Sequence, residues 1–324
     1  MKAIVAREAG GPEVLELAEL PTPEAGPGHV LVEVTAAGVN RADLLQRRGH
    51  YPPPPGASPL IGLEVSGQVA GLGEGVSGWA VGDPCVALLA GGGYAEYVAV
   101  PAGQVIPPPP RLSLVEAAGV VEVAATVMSN LDLAQLGEGD VFLVHGGAGG
   151  IGSFAIQYAH ALGARVLTTA GSPAKLDYCL SLGADRALSY REDWVAGVRE
   201  AAPDGVDVVL DNMGAKYLGD HVGLLATGGR LVVIGLQGGS KATLDLGVLM
   251  AKRAVVRATT LRARPPAEKA EICAHLVERV WPLIGNGTIE PAPQTRFPLA
   301  EAAAAHAHLE SGDNLGKVVL TVRE

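Results

Sequence analysis

One stretch decides the fold: VFLVHGGAGGIG, residues 141–152. Its first five residues predict a short apolar strand, and residues 151–162 repeat apolar side chains at helical spacing. Between strand and helix lies a turn made of Gly147, Ala148, Gly149, Gly150, Ile151 and Gly152. Glycines at such a turn let the backbone approach a pyrophosphate, and the helix N-terminus offers its N–H groups to the phosphates. The stretch therefore predicts a dinucleotide-binding loop, with a plain tight turn as the alternative.

The sequence after this loop alternates strands with helices. The further predicted strands cover residues 165–169, 186–190, 206–211, 230–235 and 254–259. Helices are predicted between them, one starting at Pro173 and another passing through Leu224 and Leu225. Parallel strands need crossover connections, so this alternation predicts an α/β fold, a doubly wound Rossmann sheet with helices on both faces.

A β-rich domain is predicted on either side of this sheet. Residues 30–39 and 62–70 are short β-branched runs, and the proline clusters at 52–55 and 107–110 exclude helix there. After residue 260 come a helix at 267–284, an alanine-rich helix and a last strand at 317–322. A lone terminal strand has to pair, so we expect it to return to the first domain. The predicted domains are 1–121 and 262–324, which together form the β-rich domain, and 122–261, the inserted Rossmann domain.

Composition bounds the function. The 324 residues exceed one hydrophobic core, and no apolar run is long enough to span a bilayer, so no membrane partner is expected. The net charge of −10 argues against nucleic acid as a partner. Cys85, Cys179 and Cys273 are too few and too scattered for a disulfide framework or a four-cysteine zinc site. With no apolar signal-peptide core at the N-terminus, we expect a cytoplasmic protein.

The end of the second strand of the Rossmann domain predicts the choice of cofactor. NAD-binding domains place a carboxylate there to bind the ribose hydroxyls, whereas this chain has Ser172 and Lys175. A hydroxyl and an ammonium would hold a 2′-phosphate that a carboxylate would repel. We therefore expect NADPH, with a solvated helix lysine as the alternative reading of Lys175.

Several motifs together give a family resemblance that extends over the whole chain. Besides the glycine loop they are Gly38–Asp43, Gly49–Pro53, Gly62–Gly67, Val81–Pro84, Gly92–Tyr97 and Asn314–Lys317. In these motifs the chain resembles the zinc-free quinone oxidoreductases of the medium-chain dehydrogenase/reductase superfamily, closest to their zeta-crystallin-like branch. The resemblance implies a GroES-like catalytic domain around the Rossmann domain. Zinc-dependent relatives have a cysteine where this chain has Asn40 and a histidine where it has Leu63, so no catalytic metal is expected.

The resemblance also implies the site residues. Asn40 and Tyr51 would be catalytic, as neutral hydrogen-bond donors to an oxyanion, and Thr126 would join them at the nicotinamide. The pyrophosphate would lie on the glycine loop, and the 2′-phosphate would lie near Ser172, Lys175 and Tyr190. Asn212, Gly235, Leu261 and Asn314 would complete the surroundings of the cofactor. Packing roles for Tyr51 and Tyr190 and a turn-forming role for Asn314 stay open.

The expected activity is hydride transfer from NADPH to a quinone. One alternative uses the same cofactor to reduce the double bond of an enone or enoyl thioester. An alternative of another class is an NADPH-binding structural or RNA-binding protein. By resemblance we expect a homodimer, formed by pairing of the edge segment 254–261 with its twin.

Overall fold

The structure is a computed structural model that describes residues 1–323, so Glu324, the end of the predicted third segment, lies outside the described residues. Among the described residues, contacts divide the chain into two units, one formed by Met1–Ala125 with the residues from Leu261 onward and the other by Thr126–Thr260. The first boundary falls inside a helix, whereas the sequence placed it at 121/122 and placed the second at 261/262. We describe each unit by itself.

The first unit begins with short strands and two short helices. They are β1 (Lys2–Ala6), β2 (Leu15–Glu19), β3 (His29–Val39), α1 (Arg41–Arg47), β4 (Glu64–Leu72), β5 (Pro84–Leu88), β6 (Tyr97–Pro101), β7 (Val105–Ile106) and α2 (Leu114–Ala117). Along β3 the side chains of Val30, Val32 and Val34 are fully buried and those between them only partly. This alternation is the pattern of a strand with one face on a core. Neither proline cluster is helical.

The second unit alternates helices and strands, as the sequence predicts. Its elements are α3 (Val121–Ala134, which begins in the first unit), β8 (Val141–His145), α4 (Gly150–Ala161), β9 (Arg165–Ala170), α5 (Pro173–Ser181), β10 (Arg186–Ser189), α6 (Trp194–Ala201), β11 (Val206–Asp211), α7 (Leu218–Leu224), β12 (Leu225–Val233), α8 (Leu246–Ala251) and β13 (Val255–Ala258). The strands form one parallel sheet in the order β10-β9-β8-β11-β12-β13. Four consecutive residues of β8 are buried, which a sheet covered on both faces requires. The predicted Rossmann fold is confirmed.

The chain then returns to the first unit. Its last elements are α9 (Pro266–His275), α10 (Trp281–Gly285), β14 (Gln294–Pro298), α11 (Ala302–Ser311) and β15 (Lys317–Thr321). The terminal strand β15 pairs antiparallel with β3, so the expectation that the tail rejoins the first domain is confirmed. The sheet has the order β14-β15-β3-β4-β5-β7, with β6 also paired to β3. The sequence did not predict β14, which tolerates Pro298 because it is an edge strand.

The predicted helix at 267–284 is present, since the chain is helical without a gap from Pro266 to Gly285. Between α9 and α10 the residues Leu276–Val280 form a wider π-helical turn, which the sequence did not predict. Pro282 has no N–H to donate to the preceding turn, and the π turn accommodates this missing donor.

The three cysteines are buried free thiols, as expected. Burial raises the pKa of Cys85 and Cys273 to about 12 and that of Cys179 to about 11. Such thiols are inert at neutral pH. Within residues 1–323, no helix has the length and apolar character that crossing a bilayer requires.

Candidate functional site

The Rossmann sheet reverses its winding between β8 and β11. From β8 the chain proceeds outward to β9 and β10, and from β11 it proceeds outward the other way to β12 and β13. The loops after β8 and β11 therefore leave the same edge of the sheet in opposite directions. Open α/β sheets bind ligands in the crevice that this reversal creates.

The glycine loop follows β8 at this point and has no room for side chains at two positions. A Cβ on Gly152 would lie 2.3 Å from the carbonyl oxygen of Gly146 and 2.5 Å from the Cα of Gly147. A Cβ on Gly147 would lie 2.3 Å from Oγ1 of Thr168 on the next strand. Atoms cannot approach so closely, so glycine is required for the loop to fold against β9 and against its own helix.

The helix after the loop presents its N-terminus at the same edge. Gly149 precedes α4 in an extended conformation, and Gly150 begins the helix. The first N–H groups of a helix have no acceptor inside it, and the first turn of α4 has no acidic side chain. These residues thus form a cradle of backbone donors at the positive end of a helix dipole, which suits a pyrophosphate.

Asn212 connects the two loops at the switch point. Its Nδ2 donates to the carbonyl oxygen of His145, 3.2 Å away, at the end of β8. Its Oδ1 accepts no hydrogen bond from residues 1–323, so this buried acceptor fits a donor on a ligand. A Cβ on Gly235 would lie 2.8 Å from the carbonyl oxygen of Asn212. The structure therefore brings Asn212 and Gly235 together beside the glycine loop.

The predicted 2′-phosphate residues gather at the end of β9. The hydroxyl of Tyr190 lies over Gly171, since a Cβ added to Gly171 would be 2.1 Å from it. Ser172 occupies the N-cap position of α5, but its hydroxyl makes no capping hydrogen bond to the helix. Lys175 lies in the first turn of the same helix. Together they offer two hydroxyls and an ammonium at a strand end without a carboxylate.

Thr126 lies on α3, 8% exposed, and its carbonyl oxygen accepts a hydrogen bond of 2.7 Å from Asn130. Asn130 in turn accepts one of 2.6 Å from Thr259. These contacts fix α3 to the end of β13.

In the first unit, Asn40 is held by two buried charged residues. The ammonium of Lys317 donates to Oδ1 of Asn40 and to Oε1 of Glu64, both at 2.7 Å. The amide nitrogen of Asn40 donates to the same Oε1 over 2.9 Å. Because an ammonium can only donate, the amide oxygen has to face Lys317, and one Nδ2 hydrogen remains for another acceptor. The carboxylate and the ammonium are 0% and 5% exposed.

A second buried hydrogen-bond network contacts the backbone of Asn40 through Asp43. Asp43 accepts from the backbone N–H of Asn40 at 2.8 Å and from the hydroxyl of Tyr94 at 3.0 Å. His306 lies 3.0 Å from that hydroxyl, and Arg47 donates to its other ring nitrogen over 3.2 Å. Burial raises the pKa of Asp43 to about 6, and burial together with Arg47 lowers the pKa of His306 to about 3. A neutral His306 thus links α11 to the start of α1.

Three predicted residues of the first unit are not joined to Asn40 by any described contact. Tyr51 is partly buried on the loop after α1, and burial raises the pKa of its phenol. Asn314 donates from Nδ2 to the carbonyl oxygen of Gly316 at 3.3 Å, as a turn former does. Leu261 is partly buried where the chain re-enters the first unit.

The residues around Asn40 do not fit zinc. Leu63, which replaces a histidine ligand, is buried and has no donor atom, and the amide oxygen of Asn40 already accepts from an ammonium. A cation at this oxygen repels a second cation, and zinc prefers thiolate and imidazole ligands. Within residues 1–323, no group of three or more His, Cys, Asp or Glu side chains could hold a metal ion.

Glu64 and Lys317 lie in the sequence motifs named above, but the sequence predicted no role for them. They are 253 positions apart in the chain, so neither helical nor strand spacing could show that they meet. The signal available was the pair of an acid and a base in two short motifs of one domain. Asp43 and Tyr94 also lie in such motifs, whereas His306 lies in none of them.

Comparisons with known proteins place both units in established families. The alcohol dehydrogenase GroES-like domain matches residues 26–111, and the zinc-binding dehydrogenase domain matches residues 150–278. A curated relative, the polyketide synthase GfsB of Streptomyces halstedii, is 34% identical over 300 residues, 91% of this chain and 5% of that protein. The chain spans 5–15% of the length of the first curated relatives it matches.

Solved structures match over the whole chain. A mycobacterial quinone oxidoreductase is 34% identical, with a TM-score of 0.86 over 99% of this chain and 100% of that one. Escherichia coli quinone oxidoreductase, complexed with NADPH, is 29% identical, with a TM-score of 0.89 over 99% and 100%. The CurK enoyl reductase is 27% identical, with a TM-score of 0.84 over 99% and 98%.

Fold, site and relatives define an oxidoreductase built from a GroES-like and a Rossmann unit. The chain belongs to the medium-chain dehydrogenase/reductase superfamily.

We expect Gly152→Ala to weaken binding of a nicotinamide dinucleotide by about a hundredfold, because the added Cβ forces the loop backbone to move by about 1 Å. Fluorescence titration with NADPH measures this. Gly223→Ala on α7 is the matched control, since its Cβ would meet nothing within 4 Å besides its chain neighbours and the backbone of its own helix. Unchanged affinity in Gly152→Ala would show that the ligand does not depend on this loop.

We expect Lys317→Met to lower the free energy of unfolding by about 3–5 kcal/mol, because it leaves the carboxylate of Glu64 buried and uncompensated. Adding Glu64→Gln removes that charge and should recover most of the loss. Urea denaturation of the single and double variants measures both values. Equal stability of the single and double variants would show that the unpaired carboxylate of Glu64 is not the cause of the loss.

Proposed function

We propose that the protein is an NADPH-dependent quinone oxidoreductase that transfers a hydride to a quinone without a metal ion. The observation that carries the proposal is the glycine cradle at the switch point, where a loop without room for Cβ atoms meets Asn212 and the N-terminus of α4. It is supported by similarity over the whole chain to Escherichia coli quinone oxidoreductase, which was solved with NADPH.

The choice of NADPH over NADH is supported by the end of β9. Lys175 and Ser172 lie in the first turn of α5 and at its cap, and the hydroxyl of Tyr190 lies over Gly171 beside them. An ammonium and hydroxyls stabilise a phosphate with two negative charges. The residues at this position therefore fit a 2′-phosphate better than two ribose hydroxyls.

The reaction needs a hydride donor and a stabilised oxyanion, and bound NADPH supplies the hydride. Asn40 and Tyr51 are the donors that we assign to the oxygen of the acceptor. Lys317 fixes the amide of Asn40 so that Nδ2 is the donor atom, and its charge at Oδ1 polarises the N–H bond. Since burial raises the pKa of Tyr51, its phenol keeps its proton at neutral pH. Neutral donors placed in advance stabilise developing charge without a proton-transfer step.

Reduction of an enone or enoyl thioester is the second candidate. It is supported by the similarity to CurK enoyl reductase and to polyketide synthases, and it uses the same cofactor and the same two donors. We rank it second because the matching solved structures include quinone oxidoreductases from Escherichia coli, Pseudomonas syringae and a mycobacterium, against one enoyl reductase, CurK.

Steady-state assays with NADPH test the proposal directly. The purified protein is given benzoquinones and naphthoquinones in one series and 2-enones and crotonyl thioesters in another. We expect kcat/KM for the best quinone to exceed that for the best alkene by at least about tenfold, a difference of ~1.4 kcal/mol. The reverse order would establish the enoyl reductase. Inactivity with all quinones and all alkenes would contradict both proposed activities.

We expect Lys175→Glu to shift the ratio of KM values for NADPH and NADH by about a hundredfold toward NADH, because a carboxylate repels the 2′-phosphate and accepts from ribose hydroxyls. Kinetics with the two cofactors in parallel measure the shift. Lys241→Glu changes an exposed lysine of the same unit in the same way and should behave as wild type. An unchanged ratio in Lys175→Glu would remove Lys175 from the phosphate site.

We also propose that two copies associate through the edge of the Rossmann sheet. In the described residues β13 has one neighbour, and Val255 on this strand is 38% exposed. Nearby in sequence, Leu246 and Met250 on α8 are 62% and 76% exposed. An unpaired edge strand next to exposed apolar side chains suits a second copy related by a two-fold axis.

Light scattering after gel filtration should give twice the chain mass of 33.0 kDa for the wild type. Leu246→Glu with Met250→Glu should give the single mass, because the charges would be buried in the interface. Val81→Glu, at an exposed valine of the other unit, is the control. A monomeric wild type would contradict the proposed association.

A further inference from the structure

Arg262 is buried where the chain re-enters the first unit, and it contacts three separate segments. Its Nε donates to the carbonyl oxygen of Ala90 at 2.7 Å, and its Nη2 donates to Oε1 of Gln46 at 2.7 Å. Its Nη1 donates to the carbonyl oxygen of Tyr51 at 3.0 Å. Arg262 is 4% exposed, and each of its three guanidinium nitrogens donates a hydrogen bond inside the protein.

All three acceptors are neutral. Among the described residues no carboxylate forms an ion pair with Arg262, although buried arginines are normally paired. Burial lowers the pKa of Arg262 from its ordinary value, and the group still remains a cation at neutral pH. The first unit therefore holds a buried cation without a direct ion-pair partner beside the loop that carries Tyr51, and the carboxyl of Asp43 acts on this cation from beyond ion-pair distance.

The same guanidinium also lies against the ring of Tyr51. Its Cζ is 5.2 Å from the ring centroid, a cation–π contact in addition to the hydrogen bond to the backbone. The phenol hydroxyl itself makes no hydrogen bond to residues 1–323. Tyr51 is thus fixed at its backbone and at its ring, while its hydroxyl is left to donate to a ligand.

We propose that Arg262 is the positioning residue of Tyr51: it clamps the loop and, by its charge at the ring, strengthens the phenol as a donor to the oxyanion formed during reduction. This inference rests on the proposed function, because it needs an acceptor whose oxygen gains charge. A cation near a phenol stabilises electron density that moves toward the phenol oxygen. Arg262 lowers the pKa of Tyr51 in this way, against the larger opposite effect of burial.

A purely structural role would predict something different. If Arg262 only joined the segments at Gln46, Tyr51 and Ala90, its loss would lower stability and activity whether or not residue 51 carried a hydroxyl. If it acts through the phenol, its loss should matter only while the hydroxyl is present. A double-mutant cycle separates these cases.

The cycle uses Arg262→Met, Tyr51→Phe and the double variant, assayed with NADPH and the best acceptor of the wild type. We expect Arg262→Met to lower kcat by about 30-fold, the loss of one desolvated cation–π contact, with KM for NADPH little changed. In the Tyr51→Phe background the same change should lower kcat by less than about threefold. If Arg262→Met lowers kcat by the same factor in the wild type and in Tyr51→Phe, the proposed positioning role is wrong.

Arg262→Lys is the second variant, and it decides the matter if Arg262→Met does not fold. Lysine keeps the positive charge but lacks the planar set of guanidinium donors. We therefore expect Arg262→Lys to lower kcat less than Arg262→Met does, and to have no effect on kcat in the Tyr51→Phe background. Arg7→Met, at an exposed arginine of the same unit, should match the wild type. A wild type that reduces no acceptor would overturn the proposed function, whereas an active wild type with multiplicative losses would overturn this inference alone.

Discussion

The close approach of backbones at the glycine loop is the constraint on which the Rossmann unit depends. Gly152 touches the carbonyl of Gly146, and Gly147 touches Thr168 of the neighbouring strand, so β8, β9 and α4 meet without intervening side chains. This packing sets the N-terminus of α4 at the switch point of the sheet. The site therefore consists mainly of backbone groups, which are rigid and ready for a pyrophosphate before it binds.

In the GroES-like unit the candidate site consists of side chains, and buried hydrogen bonds and an ion pair hold them in place. A buried ion pair orients Asn40, and a chain from Arg47 through His306 and Tyr94 to Asp43 supports the backbone of that residue. Buried charges of this kind are weak contributors to stability but specify one arrangement when every partner is present. At the position where zinc-dependent relatives have a cysteine, this chain holds the amide of Asn40 with the ammonium of Lys317.

The sequence predicted the parts of the fold that depend on local pattern. Apolar runs and glycine turns predicted β8 and the strands after it, and the tail at 317–322 was expected to pair with the first domain because a lone strand cannot stand unpaired. It missed the π turn before Pro282, through which the helix and its apolar spacing continue. It also missed the partners of Asn40 and Tyr51. Asn40 and Lys317 are 277 positions apart and Tyr51 and Arg262 are 211 apart, and contacts over such separations leave no periodic signal.

We expect the dinucleotide to lie on the glycine loop, residues 147–152, and a crystal structure of the protein with NADPH would show whether it does. Pyrophosphate oxygens should lie within hydrogen-bond distance of the N–H groups at the start of α4, and the 2′-phosphate should lie beside Lys175 and Tyr190. A pyrophosphate bound elsewhere, with this loop unoccupied, would contradict it.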